Sequence, residues 1–278
     1  MLIDKVKIML CFTLFAIVGA SQTPFECNGG MFRIAENEKG SSFQSIEIDP
    51  NSQQVTIEHL AQFDNYAING ICYRPQDNFV YGLIQSRPYK LCRIDADYRL
   101  EELAELPLPD SLFFVSGDIS PDGRFLVMLG FNEKSRYNLV AKIDLVTPGY
   151  PTSLEIFQTN GPLGVVHCTD IAFHPTTNVL FGFDHLQKNL VTIDMDQRFI
   201  DSQRYPSTDK IEGIVPSIFF NEQGFLYGIG AAWSQFDDRS LFRFDIDNGN
   251  VERGLVDRPV NGQYSLRQKW ILFSMPTA

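Results

Sequence analysis

Four similar segments put polar side chains at matching places along the chain. They are NGICYRP (69–75), GDISPDG (117–123), TDIAFHP (169–175) and PSIFFNEQG (216–224). Near the start of each stands an oxygen-bearing residue: Asn69, Asp118, Asp170 and Ser217. Two carboxylates and an amide are a donor set for Ca²⁺, a hard cation that takes several oxygen ligands. Asp118, Asp170 and Asn69 are therefore the metal candidates. The competing use is structural, since an Asp repeated at a strand start also bonds backbone N–H groups. A glycosidase pair would need two carboxyls at a set separation with one pKa raised, which sequence does not display. No G-x-S-x-G supports a serine nucleophile. Gly228-Ile229-Gly230 lacks the following helix that a dinucleotide site needs. No cofactor is accordingly expected, with Ca²⁺ as the single candidate.

Other candidates sit in the segments between these strands. Arg87, Tyr89, Arg136, Tyr137, His185 and Trp233, with Asp237 and Asp238, fall in polar stretches. Trp233 in AAWSQFDDRS is suited to stack on a sugar or anchor a partner; packing over a strand edge is the alternative. His167 and His185 are too few to define a metal site. His174, in His-Pro-Thr-Thr-Asn, reads as a turn residue.

The elements that must position these residues repeat. Ile71, Ile119, Ile171 and Ile218 recur 48, 52 and 47 residues apart. Second strands follow each turn: FVYGL (79–83), FLVMLG (125–130), VLFGF (179–183) and FLYGIG (225–230). Third strands end at Asp49, Asp95, Asp144, Asp194 and Asp245, where Asp suits a turn opener. Weaker alternating segments come fourth. A period near 50 with four short strands per unit is the signature of a β-propeller. The expected fold is all-β, a propeller of about five four-stranded blades, with six blades or an incompletely closed ring as alternatives. The first copy lacks its first strand, and YSLRQKWILF (264–273) is the available, poorly matching, substitute. In such a fold the starts of the first strands and the second-to-third loops share one face. Asn69, Asp118, Asp170, Ser217, Arg136, Tyr137, His185 and Trp233 are thus the expected channel-mouth binding residues, with no catalytic residue assigned.

Residues 1–20 read as a cleavable signal peptide. Lys5 and Lys7 precede the apolar IMLCFTLFAIV, and Val18-Gly19-Ala20 precede the cut. The apolar run is short for a bilayer span. The expected domains are 1–20 signal peptide, 24–260 propeller and 261–278 atypical tail. Losing Asp4, Lys5 and Lys7 takes the net charge from −11 to −12. So acidic a chain is a poor fit to nucleic acid. No membrane insertion is expected after signal cleavage, and the product is expected outside the cell, at its surface or in the periplasm. Cys27, Cys72, Cys92 and Cys168 lack zinc spacing. Cys72 and Cys92, on first and third strands, would stand about 10 Å apart, too far for a disulfide.

TPFECNGGMFRI, INGICYRPQDNFVYGL, LCRIDA, VSGDISPDG and DIAFHPTTNVLFGFD resemble the DUF6923 propeller-like family, over roughly Pro24 to Gly254. The resemblance implies an exported bacterial protein, often from Bacteroidota, and brings no catalytic residues. The reading of the chain as a whole is a binding or recognition module for a surface glycan or protein. A Ca²⁺-dependent hydrolase resembling lactonase-type propellers is the alternative.

Overall fold

A computed structural model describes residues 22–26, 31–48, 55–131, 138–159, 165–211, 213–220, 224–231, 239–256 and 270–274. Residues 1–20, read above as a signal peptide, and Cys27 lie outside the described residues. The described chain is all-β, without an α-helix.

Strands form where β-branched and aromatic residues cluster between turn formers. β1 (Met31–Asn37), β2 (Gly40–Ile48) and β3 (Val55–Asp64) make the first sheet. β4 (Ile68–Arg74), β5 (Phe79–Ile84), β6 (Lys90–Ile94) and β7 (Leu100–Glu105) make the second. The third unit comprises β8 (Phe113–Ile119), β9 (Phe125–Phe131), β10 (Asn138–Asp144) and β11 (Thr152–Thr159). The fourth comprises β12 (Cys168–Phe173), β13 (Val179–Asp184), β14 (Asn189–Asp194) and β15 (Phe199–Arg204). β16 (Ile214–Phe220), β17 (Leu226–Ala231), β18 (Arg239–Phe244) and β19 (Val251–Val256) form the next sheet. β20 (Trp270–Ser274) pairs antiparallel with β1, giving the order β20-β1-β2-β3. It overlaps the segment singled out above for the missing first strand of that sheet.

First strands touch one another in succession: β4 meets β8, β8 meets β12, β12 meets β16, β16 meets β20, and β20 meets β4. Burial follows from that arrangement. β5 is buried along its whole length, because another sheet covers each of its faces. β7, at an outer edge, is half-buried or exposed throughout. Units three and four join at their outer edges. β11 pairs parallel with β15 through Gln158–Phe199 and Thr159–Ile200, which makes one eight-stranded sheet.

The aspartates closing the third strands act as turn openers. Asp144 accepts N–H bonds from Val146 and Thr147 at 2.9 and 3.0 Å, and Asp194 accepts from Asp196 and Gln197 at 2.9 and 2.8 Å. Asp245 accepts from Asp247 at 3.0 Å. Asp95 is fully buried and accepts from Asp97 N–H at 3.1 Å and from the backbone and side chain of Arg99 at 2.8 Å. Burial alone would raise the pKa of Asp144. The Arg124 guanidinium at 2.9 Å and the N–H donors outweigh it and hold the carboxyl well below the usual range. A depressed folded pKa contributes stability above the unfolded pKa, and that stability is lost as pH falls through the folded value. Asp144→Ala is therefore expected to cost about 2 kcal/mol at pH 7, and the deficit should shrink as melting is repeated at pH values below about 4.

Candidate functional site

The first strands carry the candidate residues, and their register with the second strands sets each one's height. Asn69 stands opposite Leu83, Ser116 opposite Leu129 and Ser217 opposite Ile229. Asp170 lies within a bulge between Cys168 (opposite Asp184) and Ile171 (opposite Gly182), so it sits at the height of Phe183. Leu83, Leu129, Phe183 and Ile229 each follow the residue at the centre of their strand: Gly82, Met128, Gly182 and Gly228. Asn69, Ser116, Asp170 and Ser217 therefore share one level on four first strands. Asp118 does not. It stands opposite Val127, at the level of Cys72, Ala172 and Phe219. Aligning the four isoleucines, as the sequence invites, sets unit three two residues out of step.

Neither carboxylate is idle. Asp118 Oδ2 accepts the N–H of Phe173 in the next unit at 2.7 Å, and its Oδ1 accepts Ile119 N–H at 2.8 Å. Asp170 Oδ2 accepts the N–H of Ile218 in the following unit at 2.8 Å. Thr169 adds a bond from its hydroxyl to the Val215 carbonyl at 2.7 Å. Both aspartates thus tie one first strand to the backbone of the next. Loss of hydration pushes the Asp118 pKa up to about 7, against the pull of the Phe173 and Ile119 N–H groups.

The level shared by the four residues is closed to bulk solvent. Asn69 is 2% exposed, Ser116 0%, Asp170 1% and Ser217 0%. Asn69 Oδ1, Ser116 Oγ and Ser217 Oγ are buried and have no hydrogen-bond partner among the described residues. Ser116 has no place in the sequence-based site. Counting back from the second strand reveals it, because Ser116 and Asp170 each lie ten residues before the equivalent Leu126 and Leu180.

The remaining candidates disperse. Tyr89 is a core residue, fully buried, with its ring 5.5 Å from Phe114 edge-on and its hydroxyl bonded to the Leu112 carbonyl. This corrects its expected place in a mouth loop; an apolar contact surface claimed the ring. Arg87 lies over the Tyr89 ring, 4.1 Å from its centroid. His185 is half-buried, its ring 6.3 Å from that of His167, and burial lowers its pKa. His174 serves in its turn, donating its N–H to Val179 at 2.9 Å while its ring meets Phe220 at 5.1 Å. Arg136, Tyr137, Trp233, Asp237 and Asp238 lie outside the described residues. Cys72, Cys92 and Cys168 are free, buried thiols, each with its pKa pushed up by burial. Among the described residues no group of three or more His, Cys, Asp or Glu is placed to hold a metal.

A cleft of about 330 Å³ opens between units three and four, beside the turns that join their first and second strands. Val127, Phe173 and Met195 give it an apolar floor; Asp122, Lys142, Thr177 and Asn178 are polar and line it too.

Comparison with known proteins fits these units. A family model described as a repeat of unknown function, DUF6923, matches residues 32–213. The chain belongs to the DUF6923 family. No curated protein matches it. Among solved structures it is similar to a chain from a nidogen/laminin complex at 12% identity and a TM-score of 0.51, covering 88% of this chain and 98% of that one. A protein of unknown function from Bacteroides thetaiotaomicron VPI-5482 matches at 9% identity and a TM-score of 0.55, over 91% of this chain and 72% of that one. A gluconolactonase from Xanthomonas campestris matches at 13% identity and a TM-score of 0.50, over 84% and 78%. At such identities the likeness is one of fold, which is propeller-like.

The raised Asp118 pKa makes a signed prediction. The folded state holds this proton more tightly than the unfolded chain, so the residue's contribution to stability falls as pH rises from about 4 to about 7. Asp118→Asn should abolish that component. The melting-temperature difference between wild type and variant should move in the wild type's favour as pH drops from 8 to 5. A difference constant across that range would contradict the assignment.

Proposed function

We propose that this DUF6923 chain is an exported, non-catalytic recognition module built as a five-bladed ring. In this proposal β20 supplies the first strand of the blade formed by β1 to β3, and residues 1–20 direct export. The observation that carries the binding reading is the employment of both candidate carboxylates. Asp118 and Asp170 each hold the neighbouring first strand by a backbone N–H, a scaffold role that leaves recognition to loops and grooves. The cleft between units three and four suits an amphipathic ligand such as a sugar. Its apolar floor can take a C–H face, while Asp122, Thr177 and Asn178 can meet hydroxyls. Trp233 remains the proposed aromatic contact among the loops, with Arg136, Tyr137 and His185 as its companions on that face.

A Ca²⁺-dependent hydrolase is the second reading, and the buried, unpartnered oxygens of Asn69, Ser116 and Ser217 are what favours it. A glycan array probed with the purified chain, Trp233→Ala and Thr177→Arg tests the first reading. Wild-type binding to a defined glycan set is expected. At least one variant, either the loop aromatic removed or the cleft filled at an exposed position, should lose it tenfold or more. Binding unchanged in both would exclude both surfaces. No binding by wild type, together with Ca²⁺-dependent hydrolysis of a lactone panel, would favour the second reading.

A further inference from the structure

The level occupied by Asn69, Ser116, Asp170 and Ser217 has no satisfactory account within the protein alone. A buried polar group without a partner costs about 1–3 kcal/mol. Three such atoms occur here, on three different first strands and at one height. Gln22, Arg93 and Asn189 carry further such atoms elsewhere among the described residues, but only this level gathers three from neighbouring first strands. Buried polar atoms left over in this way call for an occupant, water or an ion.

The strands involved approach closely at this height. A side-chain carbon at Gly70, next to Asn69, would lie 3.6 Å from the backbone nitrogen of Gly117, next to Ser116. Asp170 Oδ2 is 2.8 Å from the nitrogen of Ile218, next to Ser217. β4, β8, β12 and β16 meet in that order. The chemistry is uniform. A carboxylate and an amide oxygen only accept hydrogen bonds, and the two hydroxyls can accept as well. Each of the four residues thus offers an oxygen lone pair, and the donors in the set are the Asn69 amide N–H groups and the two hydroxyls. Sulfur lies nearby in Met128, Cys72 and Cys168, but burial keeps the two thiols protonated, so oxygen supplies the charged donor. All-oxygen donors select hard cations over zinc or copper.

We propose that Asn69, Ser116, Asp170 and Ser217 form a buried binding site for a hard cation of the calcium class where the first strands converge. With one carboxylate among the four, affinity belongs in the weak, millimolar range of extracellular calcium modules. The proposal shares its observation with the hydrolase reading above but claims the cation alone, without hydrolysis, and so stands or falls apart from any glycan binding.

The test is thermal melting and calorimetric titration of the full chain with CaCl₂ after EDTA treatment, beside a Ser116→Ala/Ser217→Ala double variant. That variant removes two ligands and leaves the Asp170 bond to Ile218 intact. Ca²⁺ at about ten times its dissociation constant should raise the wild-type melting temperature by about 3 °C. The double variant should lose most of that rise and bind at least tenfold more weakly. In EDTA it should melt at or above the wild-type temperature, because the orphaned hydroxyls are gone. If the double variant does not fold, Asn69→Ala replaces it with the same expectation. No calcium response in wild type would mean that water alone fills the level, and a full response in the variants would put the cation elsewhere. Either result overturns the proposal.

Discussion

Each sheet ends, on its inner side, in a strand with a neighbour on one flank only. Such an edge presents N–H and C=O groups that need partners. The structure depends on how those groups are met. Asp118 takes the N–H of Phe173, Asp170 that of Ile218, and the Thr169 hydroxyl the carbonyl of Val215. Similar bonds run from Gln85 to the Phe114 carbonyl at 2.9 Å and from Arg74 to the Gly123 carbonyl at 2.6 Å. Every one joins a unit to its successor. Side chains do between units what strand pairing does within them, and they fix height as well as distance.

Height in turn decides packing. Of the second strands β5, β9, β13 and β17, three carry glycine at their centre and β9 carries Met128. Its thioether lies where side chains at Gly70 and Gly117 would project; a carbon at either would come within 2.3 Å of it. The missing bulk on two first strands and the added bulk on one second strand are a single compensated exchange. It accounts for glycine at 117, level with Ile171 and Ile218 of the following units.

Much of this was legible. Strand order, the 50-residue period and the aspartates opening the turns follow from alternation and turn chemistry, which are local. Asp95, Asp144, Asp194 and Asp245 behave as their positions imply. What was hidden required pairing across strands. Isoleucine at 119 looks like isoleucine at 71 and 171, yet it is seven residues from its second-strand landmark Leu126, where they are nine from Val80 and Leu180. Ile119 instead holds the register position of Tyr73 and Phe173, each also seven residues from its landmark, and register leaves little trace in composition. Tyr89 was misplaced for a related reason, since an aromatic next to Pro88 in a polar stretch gives no sign that the chain turns it inward.

The parallel contact of β11 with β15 has a consequence for the order in which the molecule comes apart. Elsewhere an outer strand can peel away, leaving its sheet intact. Here two outer strands hold each other, and Arg198 of the fourth unit pairs with Glu155 of the third at 2.9 Å. Units three and four should exchange their amide protons as one block, slower than the glutamate-fringed edge at β7, where Glu101, Glu102 and Glu105 already discourage any foreign strand from docking.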